Sequence, residues 1–506
     1  MPGHALGQYI SGLARMGRTI GDDACNHKVE LLVEGFAATL GAQDQVFAGP
    51  NSEKVWPCYV MDKHLVGLID ASQLTGMAAA RELLPRVWRG ALPYLPVTGR
   101  DRVGKKDPPY DETYVLPENL FAAHELTGER VFRERAIAYL LDVPYFMPLA
   151  RGENVLPGRH AYSHAIALSS AAKARLALGE ASYLDTMRNA YKLLTTTQQY
   201  ATGGWGPNET FITPHKGELF ESLHTTEDHF ETPCGSYAAI KLARYLLCAT
   251  GEARYGDGLE RVLYNGLLAV KPPDANGDYP YYSSYGPRSR KVYYQSKWPC
   301  CSGTLIQGVA DYVRNIYFHT AQGVAVNLFA PSELSWNHDG EALTLTQQTE
   351  YPLGDKVSMR VGCAHAARFE LAIRIPDWLA RPPRLLVNGR AISIERRRGF
   401  AVLNRRWSNG DIVTLELEQD FRTEAIDDLH PETMAVLRGP LVYVEVNPPG
   451  DGSVLDALEK RVVDASDPGA YVSSDGGSRR VHAPFYRIGD QSYTMYFTDA
   501  AKKQAG

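Results

Sequence analysis

Glycines at a regular spacing in the first half of the chain constrain its fold more than any other feature. They end amphipathic helical patterns, in the phrase Leu-Thr-Gly or a close variant, at Gly76, Gly128, Gly179 and Gly251. Glycine most readily adopts the left-handed conformation found just after a helix. The first three of these glycines lie about 50 residues apart, a period typical of stacked helical hairpins.

Stacked hairpins predict a closed ring in this part of the chain. Five or six hairpins bury one another's apolar faces most completely when they close into a toroid. Residues 1–318 are therefore predicted to form an (α/α)6 toroid, with a bowl at the ends of its inner helices. The helical pattern of Ala5 to Met16 has no earlier helix before it, so we expect that the first helix of a complete toroid is missing.

Beyond residue 318 the hydrophobic pattern changes to strict alternation. Turn sequences such as Asn388-Gly389 separate the alternating runs, which is typical of β-hairpins. The fold class is therefore multidomain α + β, with the N-terminal toroid followed by a C-terminal β-sandwich over residues 319–446. The C-terminal extension, 447–506, is expected to pack on the sandwich. The alternating runs are 323–329, 343–346, 369–375 and 413–417.

Composition and charge exclude several classes of protein. Of the 506 residues, 44% are hydrophobic and 22% are charged, which excludes a largely disordered chain. The net charge of −5, without a marked Lys/Arg patch, argues against nucleic acid as a partner. No apolar run reaches the ~18–20 residues of a membrane span, so no membrane partner is predicted. No segment reads as a signal peptide, and the location stays open between cytoplasm and periplasm.

Three cysteines and one glutamate carry the densest chemical signal. Cys300 and Cys301 are adjacent and follow a proline, just before a helix predicted to begin at Thr304. Glu231 and Cys234 are the ends of a Glu-Thr-Pro-Cys run, in which Thr-Pro is typical of a helix start. The helix dipole lowers the pKa of a thiol on the first turn of a helix. Three thiols and a carboxylate match a four-ligand zinc site, since sulfur ligands favour zinc.

Buried cysteines are also ordinary small hydrophobic residues. We give that interpretation to Cys25, Cys248 and Cys363, which have no comparable neighbours in sequence.

A glycine-rich loop supplies a second candidate group. Gly203, Gly204 and Gly206 permit a tight loop around Trp205, and Glu209 follows. A carboxyl group beside an indole can have a raised pKa and act as a general acid. The alternative is a loop glutamate in water.

These motifs resemble glycoside hydrolase family 127, whose founding activity is that of a β-L-arabinofuranosidase. The resemblance implies that Cys300 is the nucleophile and Glu209 the general acid/base, and that zinc is the cofactor. Two histidines and two tyrosines match positions that line the sugar pocket of the family. The resemblance runs from about Gly3 to at least Leu441 and rests on the Gly-Gly-Trp-Gly loop with Glu209 and Phe211, the Glu-Thr-Pro-Cys run, Glu-Arg-Val-Leu-Tyr-Asn at 260–265, and Cys300-Cys301. The implied zinc ligands are Glu231, Cys234, Cys300 and Cys301, and the predicted substrate-binding residues are His64, His164, Tyr281, Tyr282 and Trp205.

Three departures from the family pattern indicate a divergent subgroup whose sugar can differ from L-arabinofuranose. Pro233 is inserted between the threonine and cysteine of the ligand run, and Leu116-Pro117-Glu118 replaces a common His-Gln-Glu run. The loop between Glu209 and Glu231 is also longer and offers further candidate acids, which leave the identity of the acid/base open. They are Glu218, Glu221 and Glu227.

The predicted reaction is retaining hydrolysis of a furanoside such as a β-L-arabinofuranoside, with a carbohydrate as the partner and a zinc-bound cysteine in place of one of the two usual carboxylates. Two alternatives remain: a toroid-type polysaccharide lyase or sugar epimerase, and a non-catalytic glycan-binding protein with a structural zinc. The oligomeric state is left unpredicted.

Overall fold

The computed structural model describes residues 3–47, 56–102, 111–295, 299–450, 462–464, 467–475 and 478–498. The chain divides into two compact units. The first comprises Met1–Tyr245, Gly266–Gly286 and Lys291–Asp311, and the second comprises Leu246–Asn265, Pro287–Arg290 and Tyr312–Gly506.

The first unit is the helical toroid, as predicted. The nearly fully buried helices α3 and α8 belong to its inner ring, whereas α2 buries only three of its residues. The first helix packs against both α3 and the last helix, α13, so the two ends of the helical region meet and close the ring. The second unit holds α12 and the end of α11. The helices of the described chain are α1 His4–Ile20, α2 Asp23–Thr39, α3 Pro57–Thr75, α4 Ala78–Ala91, α5 Pro117–Thr127, α6 Arg130–Tyr139, α7 Met147–Ala150, α8 Ala161–Leu178, α9 Ser182–Leu193, α10 Glu218–Thr225, α11 Thr232–Thr250, α12 Arg254–Asn265 and α13 Cys300–Asp311.

The predicted glycine caps are present. Gly76, Gly128 and Gly179 directly follow α3, α5 and α8, and their φ angles of 75°, 77° and 78° lie in the left-handed region. Gly251, with a φ of 67°, follows α11. A side chain at these positions would strain the backbone, so the spacing of the glycines sets where each inner helix ends.

The second unit contains α12 and three largely antiparallel sheets. The first two strands of the chain, β1 (Phe230–Glu231) and β2 (Tyr282–Ser283), belong to the first unit. In the second unit, strands β3–β13 form a six-stranded and a five-stranded sheet, in the orders β10-β9-β13-β7-β6-β5 and β11-β12-β8-β4-β3. The predicted alternating runs correspond to β4, β6, β8 and β13. These strands are β3 Tyr317–Thr320, β4 Gly323–Val326, β5 Ser332–His338, β6 Glu341–Thr349, β7 Lys356–Cys363, β8 Ala367–Arg374, β9 Arg384–Val387, β10 Arg390–Ile392, β11 Arg396–Arg397, β12 Phe400–Trp407 and β13 Ile412–Glu416.

A third sheet joins the end of the predicted sandwich to the C-terminal extension. Its strand order is β14-β15-β16-β19-β18-β17, with β20 on β16 and β21 on β15. The predicted extension 447–506 lies partly outside the described residues; its described strands are β17–β21. The strands are β14 Phe421–Ala425, β15 Thr433–Arg438, β16 Leu441–Val446, β17 Val462–Asp464, β18 Asp467–Asp475, β19 Ser478–Pro484, β20 Tyr493–Thr494 and β21 Tyr496–Thr498.

Within the second unit a buried arginine connects α12 to the sheets. Arg374, on β8, forms ion pairs with Asp257 and Glu260 on α12.

The predicted domain boundaries at 318 and 446 stay predictions. Among the described helices, none is both long and apolar enough to cross a bilayer.

Candidate active site

Four side chains that lie far apart in the sequence converge in the first unit. One ligand atom from each of Glu231, Cys234, Cys300 and Cys301 lies within 4.8 Å of the others, and all four residues are buried. The Sγ atom of Cys234 is 3.7 Å from that of Cys300 and 3.3 Å from that of Cys301. Oε1 of Glu231 is 3.7 Å from the Cys300 sulfur and 3.4 Å from the Cys301 sulfur. We refer to these four residues as the thiol–carboxylate cluster.

The starts of two inner helices position the cluster. Cys234 lies on the first turn of α11, as predicted, and Cys300 is the first residue of α13. That helix begins four residues earlier than the predicted Thr304, so both adjacent cysteines are helical. Glu231 lies on a two-residue strand, β1 (Phe230–Glu231), which pairs with β2 (Tyr282–Ser283). The extended backbone before the helix start therefore directs the Glu231 carboxylate at the sulfurs.

Gln8, on the first helix of the ring, forms hydrogen bonds next to Cys300, the nucleophile candidate. Nε2 of Gln8, on α1, donates hydrogen bonds to the Cys300 carbonyl oxygen (3.2 Å) and to Oγ1 of Thr304 (2.7 Å). A Cβ atom at Gly303 would lie 2.5 Å from Oε1 of Gln8, so only glycine permits this approach. The sequence pattern gave no sign of the role of Gln8.

The four groups differ in their acid–base properties. Burial raises the pKa of Glu231, of Cys234 and of Cys301 well above their usual values. Burial acts in the same direction on Cys300, but hydrogen bonds from Cys234, Cys301 and Tyr281 outweigh it and lower the pKa of this thiol well below its usual value. Within the cluster, Cys300 is therefore the thiol that most readily becomes a thiolate.

The donor set fits a tetrahedral metal ion with soft ligands. Zinc held by thiolates at about 2.3 Å separates neighbouring sulfurs by about 3.8 Å, close to the spacing within the cluster. Oε2 of Glu231 is buried and has no hydrogen-bond partner among the described residues, as expected of an atom that awaits a ligand. The cluster could therefore hold a metal ion.

The predicted acid/base residue lies on a strained loop. Asn208 and Glu209 have φ angles of 52° and 60°, in the left-handed region that costs roughly 1–2 kcal/mol per non-glycine residue. Backbone contacts hold the loop in place: the Asn208 amide donates to the Asp228 carbonyl oxygen (2.7 Å), and residues 160 and 210 form a β-bridge. Strain of this kind, stabilised by surrounding contacts, is typical of functional positions.

Two adjacent tyrosines connect the loop to the cluster. The hydroxyl of Tyr282 donates to Oε1 of Glu209, and the hydroxyl of Tyr281 lies 3.6 Å from the Cys300 sulfur. The two rings are 4.6 Å apart. The nucleophile candidate and the acid/base candidate are thus each in contact with one member of the same dipeptide.

A histidine that sequence reasoning missed lies beside Glu209. Nε2 of His160 is 3.4 Å from Oε2 of Glu209, and its Nδ1 is 3.1 Å from Oε1 of Glu112. Nη1 of Arg102 lies 2.5 Å from the same Glu112 oxygen. The one sequence signal was that His160 directly precedes the helical pattern of α8; its two acidic partners lie on separate segments and only the fold brings them together.

The other predicted substrate-binding residues have packing roles in the structure. His64 stacks on Phe36, with ring centroids 4.7 Å apart. Both ring nitrogens of His164 are engaged, by Asp101 at 2.9 Å and by the His160 carbonyl oxygen at 3.0 Å. Trp205 is 3% exposed and packs against Phe230. Their contact with a substrate stays a prediction.

The alternative acids and the altered run are also placed by the structure. Glu218 accepts a hydrogen bond from the backbone of Thr213, Glu221 is exposed on α10, and Glu227 accepts one from Ser284. The departure at 116–118 puts Glu118 on the first turn of α5. There it is buried and accepts hydrogen bonds from Lys241 and Tyr245.

Comparison with known protein families identifies the family of this chain. Residues 1–314 match the family model described as the beta-L-arabinofuranosidase GH127 catalytic domain, and residues 323–419 match the GH127 middle domain. The catalytic-domain match covers more than half of the chain, which belongs to glycoside hydrolase family 127.

Individual relatives agree with this assignment. The chain is 25% identical over 358 residues to the non-reducing end beta-L-arabinofuranosidase of Bifidobacterium longum subsp. longum, a match that covers 65% of this chain and 52% of the relative. The chain thus spans about half the length of this curated relative.

Solved structures show the same fold. A GH127 beta-L-arabinofuranosidase from Geobacillus stearothermophilus T6 superposes with a TM-score of 0.74 at 19% identity, covering 97% of this chain and 89% of that chain. A GH127 beta-arabinofuranosidase superposes with a TM-score of 0.76 at 16% identity, covering 98% and 88%.

Proposed function

We propose that this protein is a retaining glycoside hydrolase that cleaves a β-L-arabinofuranoside or a closely related furanoside. The observation that carries the proposal is the placement of Cys300. Its thiol has a lowered pKa and lies within the thiol–carboxylate cluster. Cys300 contacts Tyr281, and the adjacent Tyr282 contacts Glu209. The substrate class comes from the names of the relatives, which act on arabinofuranosides.

The first half of the reaction forms a bond between protein and sugar. The Cys300 thiolate attacks the anomeric carbon while the Glu209 carboxyl group gives a proton to the leaving oxygen. Tyr282 fixes one Glu209 oxygen by hydrogen bonding, so the carboxyl group does not rotate away. Two inversions at the anomeric carbon, one per half-reaction, give retention of configuration.

The second half releases the sugar. Glu209, now a carboxylate, removes a proton from water as the water attacks the anomeric carbon, and the thiolate of Cys300 leaves. The hydroxyl of Tyr281, 3.6 Å from the Cys300 sulfur, can donate a hydrogen bond to the departing thiolate and so makes it a better leaving group.

Zinc is the proposed cofactor, held by Glu231, Cys234, Cys300 and Cys301. Bound zinc would keep the thiols deprotonated near neutral pH, which the burial of Cys234 and Cys301 otherwise opposes. Three of the four ligands are sulfur atoms, which favour zinc over calcium or magnesium because those ions prefer oxygen ligands. Oε2 of Glu231 has no hydrogen-bond partner among the described residues, so this carboxylate can supply the fourth ligand.

The alternative functions do not require the groups that the structure brings together at this site. A lyase or an epimerase needs acid–base groups such as histidine and tyrosine but no cluster of thiols. A structural zinc site would be closed and would need no thiol in contact with a tyrosine beside a strained glutamate.

A substrate screen on the metal-loaded protein tests the proposal. Aryl pentofuranosides and aryl pyranosides of both series are offered to the wild type, to Cys300→Ser and to the control Cys248→Ser, whose thiol is exposed. We expect cleavage of a furanoside by the wild type and the control, about one zinc per chain, and loss of turnover in Cys300→Ser with the fold retained. Full activity of Cys300→Ser would exclude the nucleophile, and cleavage of no furanoside would refute the substrate class.

A further inference from the structure

We propose that His160 and Glu209 share the proton that the leaving group receives, and that Glu112, braced by Arg102, keeps this proton on the pair. The inference rests on the proposed function and deepens it. His160 exchanges the proton with Glu209, whereas Glu112 and Arg102 are positioning residues that act through His160.

The contacts form an unbroken chain from Arg102 to the acid/base. The Arg102 guanidinium lies 2.5 Å from Oε1 of Glu112, which is 3.1 Å from Nδ1 of His160. Nε2, on the other side of the same ring, faces Oε2 of Glu209 at 3.4 Å. One imidazole ring thus spans two carboxylates, and a doubly protonated ring satisfies both.

Burial strengthens the electrostatic attraction between Glu112 and His160. The side chain of Glu112 is 2% exposed and that of His160 is 14% exposed, so water screens their interaction weakly. Burial by itself would lower the pKa of His160, but Glu112 first, and then Glu209 and Glu231, raise it to about 10. Burial likewise acts to raise the pKa of Glu112, but His160 and Arg102 lower it to about 2.

The neighbouring elements supply the remaining polar groups that face His160. Ser163, on α8 itself, has its hydroxyl 2.9 Å from Nδ1, and the ring of Tyr162 is edge-on to the imidazole. The carboxylates come from three other segments: Glu112 before α5, Glu209 on the strained loop, and Glu231 on β1. Glu112 and Glu209 lie directly against the two ring nitrogens, so the imidazole has a carboxylate on each side.

The position of His160 in its helix explains why it needs Glu112. His160 is the N-cap residue of α8, where the helix dipole disfavours a cation. A neutral histidine would be expected at such a place unless a negative charge lay beside it. Glu112 supplies that charge on the side of the ring away from Glu209.

The protons balance over one turnover. The proton on Nε2 of His160 passes to Glu209 as the Glu209 carboxyl group protonates the leaving oxygen, and the Cys300 thiolate forms its bond to the sugar. The water that hydrolyses this bond leaves its hydroxyl on the sugar and returns one proton to the pair. Glu209 can thus be ionised at rest and still deliver a proton when the glycosidic bond breaks.

The pH dependence of hydrolysis tests the role of Glu112. Loss of a buried neighbouring carboxylate lowers the pKa of an imidazolium by about 1–3 units, so in Glu112→Gln the alkaline limb of kcat/KM should move to lower pH by that amount. At pH values below the shifted limb, activity should return to within a few-fold of the wild type. Glu118→Gln, which removes another buried, ion-paired carboxylate of the ring, serves as the matched control and should leave the limb in place. An unshifted limb in a folded Glu112→Gln, or an equal shift in Glu118→Gln, overturns the proposal.

A second measurement needs no substrate and therefore separates this proposal from the proposed function. Nitrogen NMR of the metal-loaded protein labelled with ¹⁵N-histidine, with His160→Asn to assign the signal, should show an imidazolium at pH 8 in the wild type. In Glu112→Gln the ring should lose its proton at a pH about 1–3 units lower than in the wild type. A wild-type His160 that titrates near the ordinary value of about 6.5 overturns the proposal even if furanosides are cleaved. A persistent imidazolium together with no glycoside cleavage refutes the proposed function alone.

Discussion

At the scale of single residues, the acid/base candidate is distinguished by how it is held. Tyr282 and His160 each contact one oxygen of Glu209, and two consecutive left-handed residues aim its loop at the site. The competing glutamates lack this support: Glu221 is exposed, and Glu218 and Glu227 each accept a single hydrogen bond among the contacts described above. Catalysis by a carboxyl group requires a fixed direction of proton transfer, which favours Glu209.

Replacement of Glu209 tests this assignment. We expect Glu209→Gln to lower kcat/KM about 10²–10⁴-fold on substrates with an alcohol leaving group, because that oxygen needs a proton. On a dinitrophenyl furanoside, whose leaving group departs unprotonated, the loss should be much smaller. Stopped-flow measurement with both substrates gives the comparison. Glu221→Gln, with its exposed side chain on α10, is the matched control and should behave as wild type; a loss that is equal for both leaving groups would contradict the acid role.

The ligand residues could be predicted from the sequence, whereas their supports could not. Proline and threonine before Cys234, and proline before Cys300, mark helix starts, and adjacent thiols are rare enough to draw attention. Nothing local indicates that Glu112 is a partner of His160, because the two lie 48 positions apart and meet only when α8 docks beside the segment before α5. The resemblance to the family instead indicates His164, one helical turn further on in α8.

At the scale of elements, two glycines set the distance between the first and third helices. A Cβ atom at Gly67, on α3, would lie 2.5 Å from the carbonyl oxygen of Gly7, on α1, and a Cβ atom at Gly7 would lie 1.9 Å from the carbonyl oxygen of Lys63. The two backbones are therefore in direct contact. Since Gln8 on α1 braces Cys300, this contact also fixes one wall of the site.

An added methyl group at this contact should be costly. We expect Gly67→Ala to lower the free energy of unfolding by about 1–3 kcal/mol, because the clash is with backbone that cannot rotate away. Gly35→Ala on α2, where a Cβ atom meets nothing within 4 Å, should instead be neutral or stabilising by up to about 1 kcal/mol, because alanine favours a helix. Denaturant titration of both variants gives the values. Equal stability of the two would contradict the close packing of α1 on α3.

Helix boundaries show what local sequence does and does not determine. The glycine caps at Gly76 and Gly128 were predicted because the left-handed conformation is a property of one residue. The start of α13 is predicted at Thr304, whereas the helix begins four residues earlier, at Cys300, directly after Pro299.

At the scale of the whole molecule, periodicity predicted the ring and the alternating runs predicted the first two sheets. The third sheet was not predicted, because β19 pairs with β16 and β21 with β15 across stretches of chain in which the alternation is weak. Long-range strand pairing of this kind depends on which edge strand is left open after the rest has folded. The matches to the GH127 catalytic domain (1–314) and middle domain (323–419) cover the predicted helical ring and the first two sheets.

The central claim is that one cysteine among seven is a nucleophile toward sugars. Intact-mass spectrometry of the metal-loaded protein after treatment with a furanose-configured epoxide, followed by peptide mapping, tests this most directly. We expect one inhibitor unit per chain, attached to the peptide that contains Cys300, and no label when Cys300→Ser is treated in the same way. Label spread over several cysteines, or a single label on the peptide that contains Glu209, would contradict it.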